Sequence, residues 1–392
     1  MANNRDAVIV SAVRTAIGRQ GGALASVPAH VFGAEAVKEA LSRAGISSEE
    51  VDDVIMGNVL SGGGNIARLT ALQTGMGDHL AGLTVDRQCG SGINAVNLAA
   101  QAIWSGDGDV YIAGGVESMS QAPYLMARPE KPFSPAPPKF RKSQLSPKEV
   151  GDPPMGITAE NLVEKYGISR EEQDDFALQS QQRTARAMEE GRFDEQIVPI
   201  TIPVRKGEPV VFDKDEHPRP QTTKEALVKL PPAFLEGGTV TAGSSSGLND
   251  AASAAVLMSR EKAEELGLAP LAVVRAHAVA GVDPNIMGIG PVPATRKVLE
   301  KAGLSLEDMD IIEINEAFAA QVLACDKELK MDLDKVNVNG GAIALGHPLG
   351  ATGAILLTKA VYELKRSEGK YALITACIGG GQGIATIIER EG

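Results

Sequence analysis

Two short motifs contain the residue types best suited to nucleophilic catalysis. Cys89 lies in QCGSGINAV (88–96) and His347 lies in GHPLGATG (346–353), each just ahead of an apolar run with helical spacing. At a helix start, unpaired N–H groups and the helix dipole lower the pKa of a thiol and keep an imidazole neutral. A neutral ring can accept a proton from a thiol or bind a developing oxyanion through its N–H. Taken singly, a buried inert cysteine and a hydrogen-bonded core histidine are the alternatives.

A second cysteine and an asparagine end two predicted strands. Cys377 in TACIGGGQG is surrounded by glycines, whose exposed N–H groups could bind an oxyanion. Its thiol suits proton transfer to and from a weakly acidic carbon, and a disulfide with Cys89 is the alternative. Asn315, followed by Glu316 in INEAFA, could hold a water or an oxyanion, or could cap the next helix, and these roles can coexist.

The elements that must position these residues form an internal repeat. Residues 40–59 (ALSRAGISSEEVDDVIMGNV) and 298–317 (VLEKAGLSLEDMDIIEINEA) share a helix end at Ala-Gly, a polar turn and a β-rich apolar run. The two copies lie 258 positions apart, which is also the interval from Cys89 to His347. We therefore expect two similar α/β halves related by a pseudo-twofold axis, which would bring the two helix starts to one site. Near-continuous apolar strands alternating with helices predict a mostly parallel sheet buried on both faces.

The repeat also predicts domain boundaries. They are 1–119 with 250–270 for an N-terminal half carrying the cysteine, 120–249 for an inserted loop domain, and 271–392 for a C-terminal half carrying the histidine and the second cysteine. Within the loop domain, the Pro-rich and basic stretch 126–154 predicts irregular extended backbone. Ser169 and Glu172 predict the capping box of a helix that stops at Gly191. The loop domain could be a lid over an anionic ligand, or a surface or oligomer contact.

Composition and charge exclude several classes of protein. The 392 residues are 43% apolar and 22% charged, as in a globular chain with a large core. A formal net charge of −12 argues against a nucleic-acid-binding protein. Three widely spaced cysteines without a CxxC pair, with only five histidines, argue against disulfides and metal sites and favour a reducing compartment. Because neither an export leader nor a membrane-length apolar run is apparent, we expect a cytoplasmic protein with no membrane partner.

The chain resembles the thiolase family along nearly all its length through four motifs, CGSG at Cys89, NEAFA at Asn315, GHPLGATG at His347 and CIGGG at Cys377. The resemblance implies an α/β thiolase fold: two similar α-β-α-β-α halves related by a pseudo-twofold, with an inserted loop domain that covers CoA, in a homodimer or homotetramer. It implies that Cys89 is the acylated nucleophile and that Cys377 is the acid and base at the α-carbon of acetyl-CoA. His347 would activate Cys89 and, with a water held by Asn315, form one oxyanion hole. The N–H groups of Cys89 and Gly379 would form the other.

The implied activity is CoA-dependent thiolytic cleavage of 3-ketoacyl-CoA to acetyl-CoA and a shortened acyl-CoA, reversible and part of fatty acid metabolism. CoA would be a substrate, with no permanently bound cofactor and no metal. Positions that family members place around CoA are matched by Arg219, Ser246, Met155, Met287 and Phe318. The alternative activity is that of a short-chain acetyl-CoA acetyltransferase making acetoacetyl-CoA. A decarboxylating ketosynthase and a non-catalytic acyl-CoA or lipid binder fit less well.

Three residues depart from the family pattern. Pro231 in KLPPAF stands where an arginine is common, which weakens any detailed map of the CoA phosphates. Asp86 stands where relatives usually carry asparagine, and its carboxylate should raise the pKa of Cys89. Pro154 in PPMGIT replaces the histidine of many short-chain biosynthetic relatives, which favours the degradative enzymes that accept longer chains.

Overall fold

The computed structural model describes residues 4–129, 131, 133, 137–204 and 207–391. Its strands are β1 Ala7–Thr15, β2 Gly18–Arg19, β3 Asp53–Gly57, β4 Leu83–Val85, β5 Val110–Ser118, β6 Ile197–Val198, β7 Ile200–Ile202, β8 Val210–Phe212, β9 Asn249–Ser259, β10 Ala272–Gly281, β11 Ile311–Ile314, β12 Tyr371–Ile378 and β13 Gln382–Arg390. Its helices are α1 Ala29–Ala44, α2 Ile66–Gln73, α3 Ser91–Ser105, α4 Met155–Tyr166, α5 Arg170–Glu189, α6 Lys224–Val228, α7 Arg260–Glu265, α8 Pro291–Ala302, α9 Ala319–Leu329, α10 Ala342–Leu345 and α11 Leu349–Ser367. Short 3-10 helices occupy Ser48–Glu50, Met119–Gln121 and Pro284–Ile289.

The main sheet is nearly symmetric about its centre. Its strand order is β11-β12-β13-β10-β1-β9-β5-β3-β4, and the central pair, β10 and β1, is antiparallel with Val8 opposite Val273. From that pair outward, β13, β12 and β11 on one side correspond to β9, β5 and β3 on the other. The order of the strands therefore has the pseudo-twofold symmetry expected from the repeat.

The expectation of a mostly parallel sheet is wrong, because the sheet is mixed. Parallel pairing joins β3 to β4 and β5, β11 to β12, and β1 to β6, whereas β1, β9, β10 and β13 pair with their main neighbours in antiparallel fashion. The C-terminal hairpin shows the cause: only residues 379–381 separate β12 from β13. A connection this short can join only antiparallel strands, whatever the apolar pattern of each strand.

Three hydrophobic clusters define five layers. The first cluster packs Phe32 of α1 and its neighbours against the N-terminal part of the sheet. The second places α3 and α11 between the two parts of the sheet, with Val96 and Leu356 as members. The third packs α8 and α9 against the outer face of the C-terminal part, through Val298 and Val322. The layers therefore run α-β-α-β-α, and the two halves share the middle layer.

The starts of α3 and α11 meet through glycines. A Cβ built on Gly92 would lie 3.0 Å from the carbonyl oxygen of Gly350, and a Cβ on Gly57 would lie 2.6 Å from that oxygen and from the nitrogen of Gly92. Only glycine permits backbones to approach this closely. Gly92 and Gly350 each lie three residues after a motif residue, Cys89 or His347, so the contact brings the starts of both motif helices together.

Residues 119–248 lie largely outside this symmetric core. Apart from the short strand β6, which pairs with β1, this segment carries α4, α5, α6 and the β7–β8 hairpin. The predicted capping box of α5 is confirmed: Ser169 accepts a hydrogen bond from the Glu172 N–H, and the Glu172 side chain accepts one from the Ser169 N–H. The helix ends at Glu189, just before Gly191.

Candidate active site

Cys89 lies in the tight connection between β4 and α3. Gly90 is the N-cap of α3, and the residue before the cysteine, Gln88, has a left-handed φ of 46°. The Asp86 carboxylate supports this turn, because it accepts hydrogen bonds from the Gln88 N–H at 2.8 Å and from the Gln88 side-chain amide at 3.1 Å. Left-handed φ is unfavourable for a residue with a side chain, so the turn needs such support. The residue as a whole is half-buried at this turn, while its sulfur lies inside the protein.

The surroundings of Cys89 hold it as a thiol. Burial of the sulfur raises its pKa to about 11, and the charges of Glu117 and Asp86 act in the same direction. The Gly379 N–H and the cysteine's own N–H donate to the sulfur and oppose this rise in pKa. The expectation that the helix start makes Cys89 more acidic is therefore wrong, because desolvation is larger than the effect of the N–H donors.

Cys377 lies at the carboxyl end of β12, beside Cys89. It is fully buried, and burial, together with the nearby Cys89 sulfur, raises its pKa well above the ordinary value. The Gly90 backbone packs directly on the same strand, since a Cβ there would lie 2.6 Å from the Ile378 side chain. The end of β12 and the start of α3 therefore place Cys89, Cys377 and the Gly379 N–H together.

His347 is 5% exposed, and its neighbours fix its ring. The Thr352 hydroxyl donates to the Pro348 carbonyl at 3.0 Å and lies 2.6 Å from Nδ1 of His347. Because that hydroxyl has used its proton, it accepts from Nδ1–H, which leaves Nε2 as the unprotonated ring nitrogen. Burial lowers the pKa of His347 to about 4, so the ring is neutral at pH 7. The predicted neutral imidazole thus has its basic nitrogen defined by Thr352.

Asn315 faces the basic nitrogen of His347. Its Nδ2 lies 3.3 Å from His347 Nε2, and its main-chain N–H donates to the Thr375 carbonyl at 2.9 Å. The side-chain Oδ1 is buried and has no hydrogen-bond partner within the described part of the chain. This arrangement places an amide N–H donor against the unprotonated imidazole nitrogen and leaves the amide oxygen available to a further donor.

Asn249 holds the backbone just before α11. Its Oδ1 accepts the His347 N–H at 3.0 Å and its Nδ2 donates to the Gly18 carbonyl at 2.9 Å. Gly346 has φ 104°, and a Cβ there would lie 2.3 Å from the Asn249 side chain. The glycine that precedes the histidine is therefore required both by its φ and by the closeness of Asn249.

The residues predicted to contact CoA fall into two groups. Arg219 and Ser246 line a cavity of about 570 Å³, together with His217 and Phe234. Met155, Met287 and Phe318 do not line that cavity but pack in one cluster with Cys377. The Phe318 ring joins the groups, because it meets the Phe234 ring edge-on with centroids 5.8 Å apart.

The cavity carries positive charge at its rim. Arg219 is exposed. Burial, together with the charges of Arg19 and Arg219, lowers the pKa of His217 to about 4, so His217 is neutral at pH 7.

Pro231 is exposed, and the cavity lining includes its neighbour Leu230 rather than Pro231 itself. Met155 is closest to the reactive end, since a Cβ built on Gly379 would lie 3.7 Å from its sulfur.

Sequence reasoning missed several supporting residues, of which Glu117 is the most connected. Its carboxylate is buried and accepts hydrogen bonds from the Ser61 hydroxyl at 2.7 Å, from the N–H groups of residues 59–61 at 2.9–3.0 Å and from the Gly350 N–H at 3.0 Å. It thereby ties a loop of the N-terminal half to the first turn of α11. The signal was a single acidic residue in the otherwise apolar strand VYIAGGVES. Thr352 and Asn249 gave no comparable signal.

The described residues contain neither a cluster of metal-ligating side chains nor a membrane-spanning helix. No group of three or more His, Cys, Asp or Glu side chains in that part of the chain could hold a metal ion. None of the helices in the described ranges combines the length and the apolar character needed to cross a membrane.

Known proteins resemble the chain in both sequence and structure. The family models described as Thiolase, N-terminal domain and Thiolase, C-terminal domain match residues 7–261 and 268–390. Acetyl-CoA acetyltransferase of Pseudomonas aeruginosa is 51% identical, and the alignment covers 99% of this chain and 100% of that protein. The chain belongs to the thiolase family.

Solved structures confirm the thiolase fold. The Bacillus anthracis acetyl-CoA acetyltransferase has a TM-score of 0.95 at 48% identity, over 98% of this chain and 99% of that one. The human mitochondrial 3-ketoacyl-CoA thiolase in complex with CoA has a TM-score of 0.92 at 45% identity, over 100% of both chains. This thiolase is accordingly an acyltransferase acting on CoA thioesters.

Proposed function

We propose that the thiolase cleaves 3-ketoacyl-CoA through an acyl-Cys89 intermediate, and that it also catalyses the reverse condensation. One observation carries the proposal. The Cys89 sulfur accepts the Gly379 N–H and lies beside Cys377, while the equivalent helix start presents neutral His347 against Asn315. These groups supply a nucleophile, two proton carriers and donors for an oxyanion.

In the first step, Cys89 attacks the 3-keto carbon. With a pKa of about 11, roughly one molecule in ten thousand carries the thiolate at pH 7, so the proton must leave as the C–S bond forms. Nε2 of His347, the unprotonated ring nitrogen, would accept this proton. The resulting Nε2–H can then donate to the oxyanion, with a water held by Asn315 as the second donor.

In the second step, the bond between the α- and β-carbons breaks. The electron pair passes to acetyl-CoA as an enolate, and the Cys377 thiol protonates its carbon. The thiolate left on Cys377 then takes the proton of incoming CoA, whose sulfur attacks acyl-Cys89. The shortened acyl-CoA is released, and the departing Cys89 sulfur takes back its proton from His347 Nε2. The N–H groups of Cys89 and Gly379 would hold the thioester oxyanion during these steps.

The loop domain, 120–249, is proposed to cover CoA. Arg219 and Ser246, which line the cavity of about 570 Å³, would contact the CoA part of the substrate, and Arg219 would face phosphate or adenine. Met155, Met287 and Phe318 would line the route from there to Cys377. The flanking ranges 1–119 with 250–270 and 271–392 would form the catalytic core.

The substrate is proposed to be a 3-ketoacyl-CoA longer than acetoacetyl-CoA. Its basis is the PMGIT sequence, in which Pro154 caps α4 and Met155 begins it. The second candidate, a short-chain acetyl-CoA acetyltransferase, is favoured by the name of the 51% identical Pseudomonas aeruginosa relative.

Thiolysis assays with acetoacetyl-CoA and with 3-ketoacyl-CoAs of increasing length decide between these substrates. We expect kcat/KM to rise with chain length. A maximum at acetoacetyl-CoA would transfer the assignment to the short-chain enzyme. Cleavage of none of them, with no acetyl mass shift on Cys89 after incubation with acetyl-CoA, would leave the non-catalytic acyl-CoA binder. Condensation only with malonyl thioesters would indicate the ketosynthase.

The assembly is proposed to be a homodimer or homotetramer in the cytoplasm, serving fatty acid metabolism. In the described part of the chain, β4 is an end strand of the main sheet, and its residue Leu83 is 45% exposed. Such an edge is open to pairing with a second copy. The three cysteines are free, which suits a reducing compartment. Light scattering after gel filtration measures the assembly, and a monomer at micromolar concentration would exclude it.

A further inference from the structure

A buried carboxylate follows Asn315 directly in the chain. Glu316 is 1% exposed, and one of its oxygens, Oε2, accepts from the Ser180 hydroxyl at 2.7 Å and from the Ile343 N–H at 3.1 Å. The other oxygen, Oε1, accepts from the Asn337 side-chain amide at 2.8 Å. A buried carboxylate without donors would be costly, so these three donors hold Glu316 in one geometry.

Asn337 also fixes the residue on the other side of Asn315. Its Oδ1 accepts the Ile314 N–H and its Nδ2 donates to the Ile314 carbonyl, both at 2.9 Å. Asn337 is 1% exposed and has a left-handed φ of 45°, a conformation that asparagine tolerates better than most residues. Asn315 therefore lies between two residues that the same asparagine side chain binds.

The space for this clamp is kept open by a glycine. A Cβ built on Gly341 would lie 2.2 Å from the Glu316 carboxylate carbon, and the Gly341 N–H donates to the Ser180 hydroxyl at 3.2 Å. Ser180 lies on α5, outside the symmetric core. The next residue on that helix, Gln181, accepts the Arg219 N–H at 2.9 Å and lines the cavity assigned to CoA. The clamp thus joins the strand end that carries Asn315 to a helix that contacts the CoA cavity.

We propose that Glu316, clamped by Ser180 and Asn337, is a positioning residue that holds the Asn315 amide against His347 Nε2. The proposal rests on the proposed function of Asn315. Glu316 does not touch the reacting atoms; it acts by fixing the backbone next to the residue that does.

The isosteric variant Glu316→Gln provides the first test. In either orientation, its NH2 group would face an N–H donor: Ile343 on one side or Asn337 on the other. We expect kcat of thiolysis to fall about 10- to 100-fold, which is less than the loss of kcat on removing one oxyanion-hole donor. KM for CoA should change less than about threefold. Iodoacetamide should still label Cys89 at the wild-type rate, because the clamp does not contact it.

A control variant separates positioning from general damage to the core. Glu363→Gln also alters a buried carboxylate, one that accepts from Asn339 and Arg366 and does not contact Asn315. We expect Glu363→Gln to lower the unfolding midpoint while leaving kcat within about twofold of the wild type. If Glu316→Gln loses no more kcat than Glu363→Gln at equal loss of stability, the proposal is overturned.

A double-variant cycle gives the decisive readout. Asn315→Ala should itself lower kcat, and Glu316→Gln should add less than about twofold in that background, because there is no amide left to position. Additive losses would overturn the proposal. A wild-type kcat in Asn315→Ala would instead refute the role of Asn315 in the proposed function. Should Glu316→Gln fail to fold, Ser180→Ala takes its place in the same cycle, with an expected loss of about 3- to 10-fold.

Discussion

The starts of α3 and α11 occupy equivalent places in the two halves, yet they hold their reactive side chains in opposite ways. Cys89 is half-buried as a residue and follows a left-handed residue supported by Asp86. His347 is 5% exposed, and both ring nitrogens have polar neighbours, Thr352 and Asn315. The helix start gives each residue its position, and the flanking side chains set the conformation and the hydrogen bonds of each.

The pKa values of the two side chains are shifted in opposite directions by the same cause. Burial raises the pKa of Cys89 to about 11 and lowers that of His347 to about 4. Desolvation thus favours the neutral form of each, an acid at one helix start and a base at the other. Neutral partners can exchange a proton during attack without an ion pair being present in the resting enzyme.

Replacing Cys89, the proposed nucleophile, is the strongest way to break this comparison. Cys89→Ala should lower kcat of thiolysis by roughly 10³-fold or more, because no other described group replaces the acyl carrier. Acylation is measured by intact mass after incubation with acetyl-CoA. As a control, Cys325→Ala removes a buried thiol that donates to the Gly288 carbonyl, and it should retain activity. A Cys89→Ala enzyme that keeps more than about a tenth of the activity would contradict the assignment.

Opposite pH responses of stability would sharpen the comparison. His347 has a pKa of about 4 in the folded protein and 6.5 in the unfolded one. Its contribution to the free energy of unfolding is therefore complete above pH 6.5 and is lost as the pH falls from 6.5 to 4, a loss of up to about 3 kcal/mol. Cys89 has a pKa of about 11 in the folded protein and 9.0 in the unfolded one. Its contribution to the free energy of unfolding is therefore complete below pH 9 and is lost as the pH rises from 9 to 11.

Urea unfolding midpoints between pH 4.5 and 10.5 measure both responses. His347→Asn should flatten only the acid side of the curve of unfolding midpoint against pH. It should do so only in part, since His217 also has a pKa of about 4. Cys89→Ala should flatten only the alkaline side of that curve, and only in part, since burial also raises the pKa values of Cys325 and Cys377. If each variant changed both sides equally, the two helix starts would not titrate independently.

Thr352 tests how the base is oriented. Thr352→Val keeps the side-chain shape but removes the acceptor for Nδ1–H, so the ring can place its proton on Nε2 instead. We expect kcat to fall about 10- to 100-fold, well short of the effect of a wrong tautomer in a full catalytic triad. Thr352→Ser keeps the hydroxyl and should restore most of the activity. Equal losses in both variants would indicate a packing role.

Asp86 should give the smallest effect. Its charge is the weakest of the named causes that raise the pKa of Cys89, and the carboxylate also supports the Gln88 turn. Asp86→Asn keeps an acceptor for the Gln88 N–H, so the fold should be unchanged and the pH profile of Cys89 alkylation should move down by a few tenths of a unit. Asp86→Ala loses the turn support as well and should also reduce kcat. An unmoved profile in Asp86→Asn would show that its charge does not reach the sulfur.

The sequence was informative wherever a residue type repeats at a fixed interval. The spacing of 258 positions between Cys89 and His347 predicted equivalent helix starts, and the sheet order has the same symmetry. Strand direction could not be predicted this way, because an apolar run has the same pattern in either direction. The sign of the Cys89 pKa shift was also missed, since the groups around its sulfur, such as Cys377 and the Gly379 N–H, come from a distant segment rather than from the local motif.

Supporting residues were harder to predict than reactive ones. Thr352 lies five positions after His347 and acts through a bond that only the helix geometry creates. Asn337 and Ser180 reach the strand end at Asn315 from distant segments. Such residues are ordinary polar side chains in the sequence, and their roles follow from which buried groups lack another partner.

The contact between Gly92 and Gly350 has a consequence for how such an enzyme could arise. The two halves meet there through main-chain atoms, so their contact does not depend on which side chain stands three positions upstream. A gene duplication followed by fusion would begin with two identical reaction centres facing each other. One copy could then specialise in sulfur chemistry and the other in nitrogen chemistry without any repacking of the join between them.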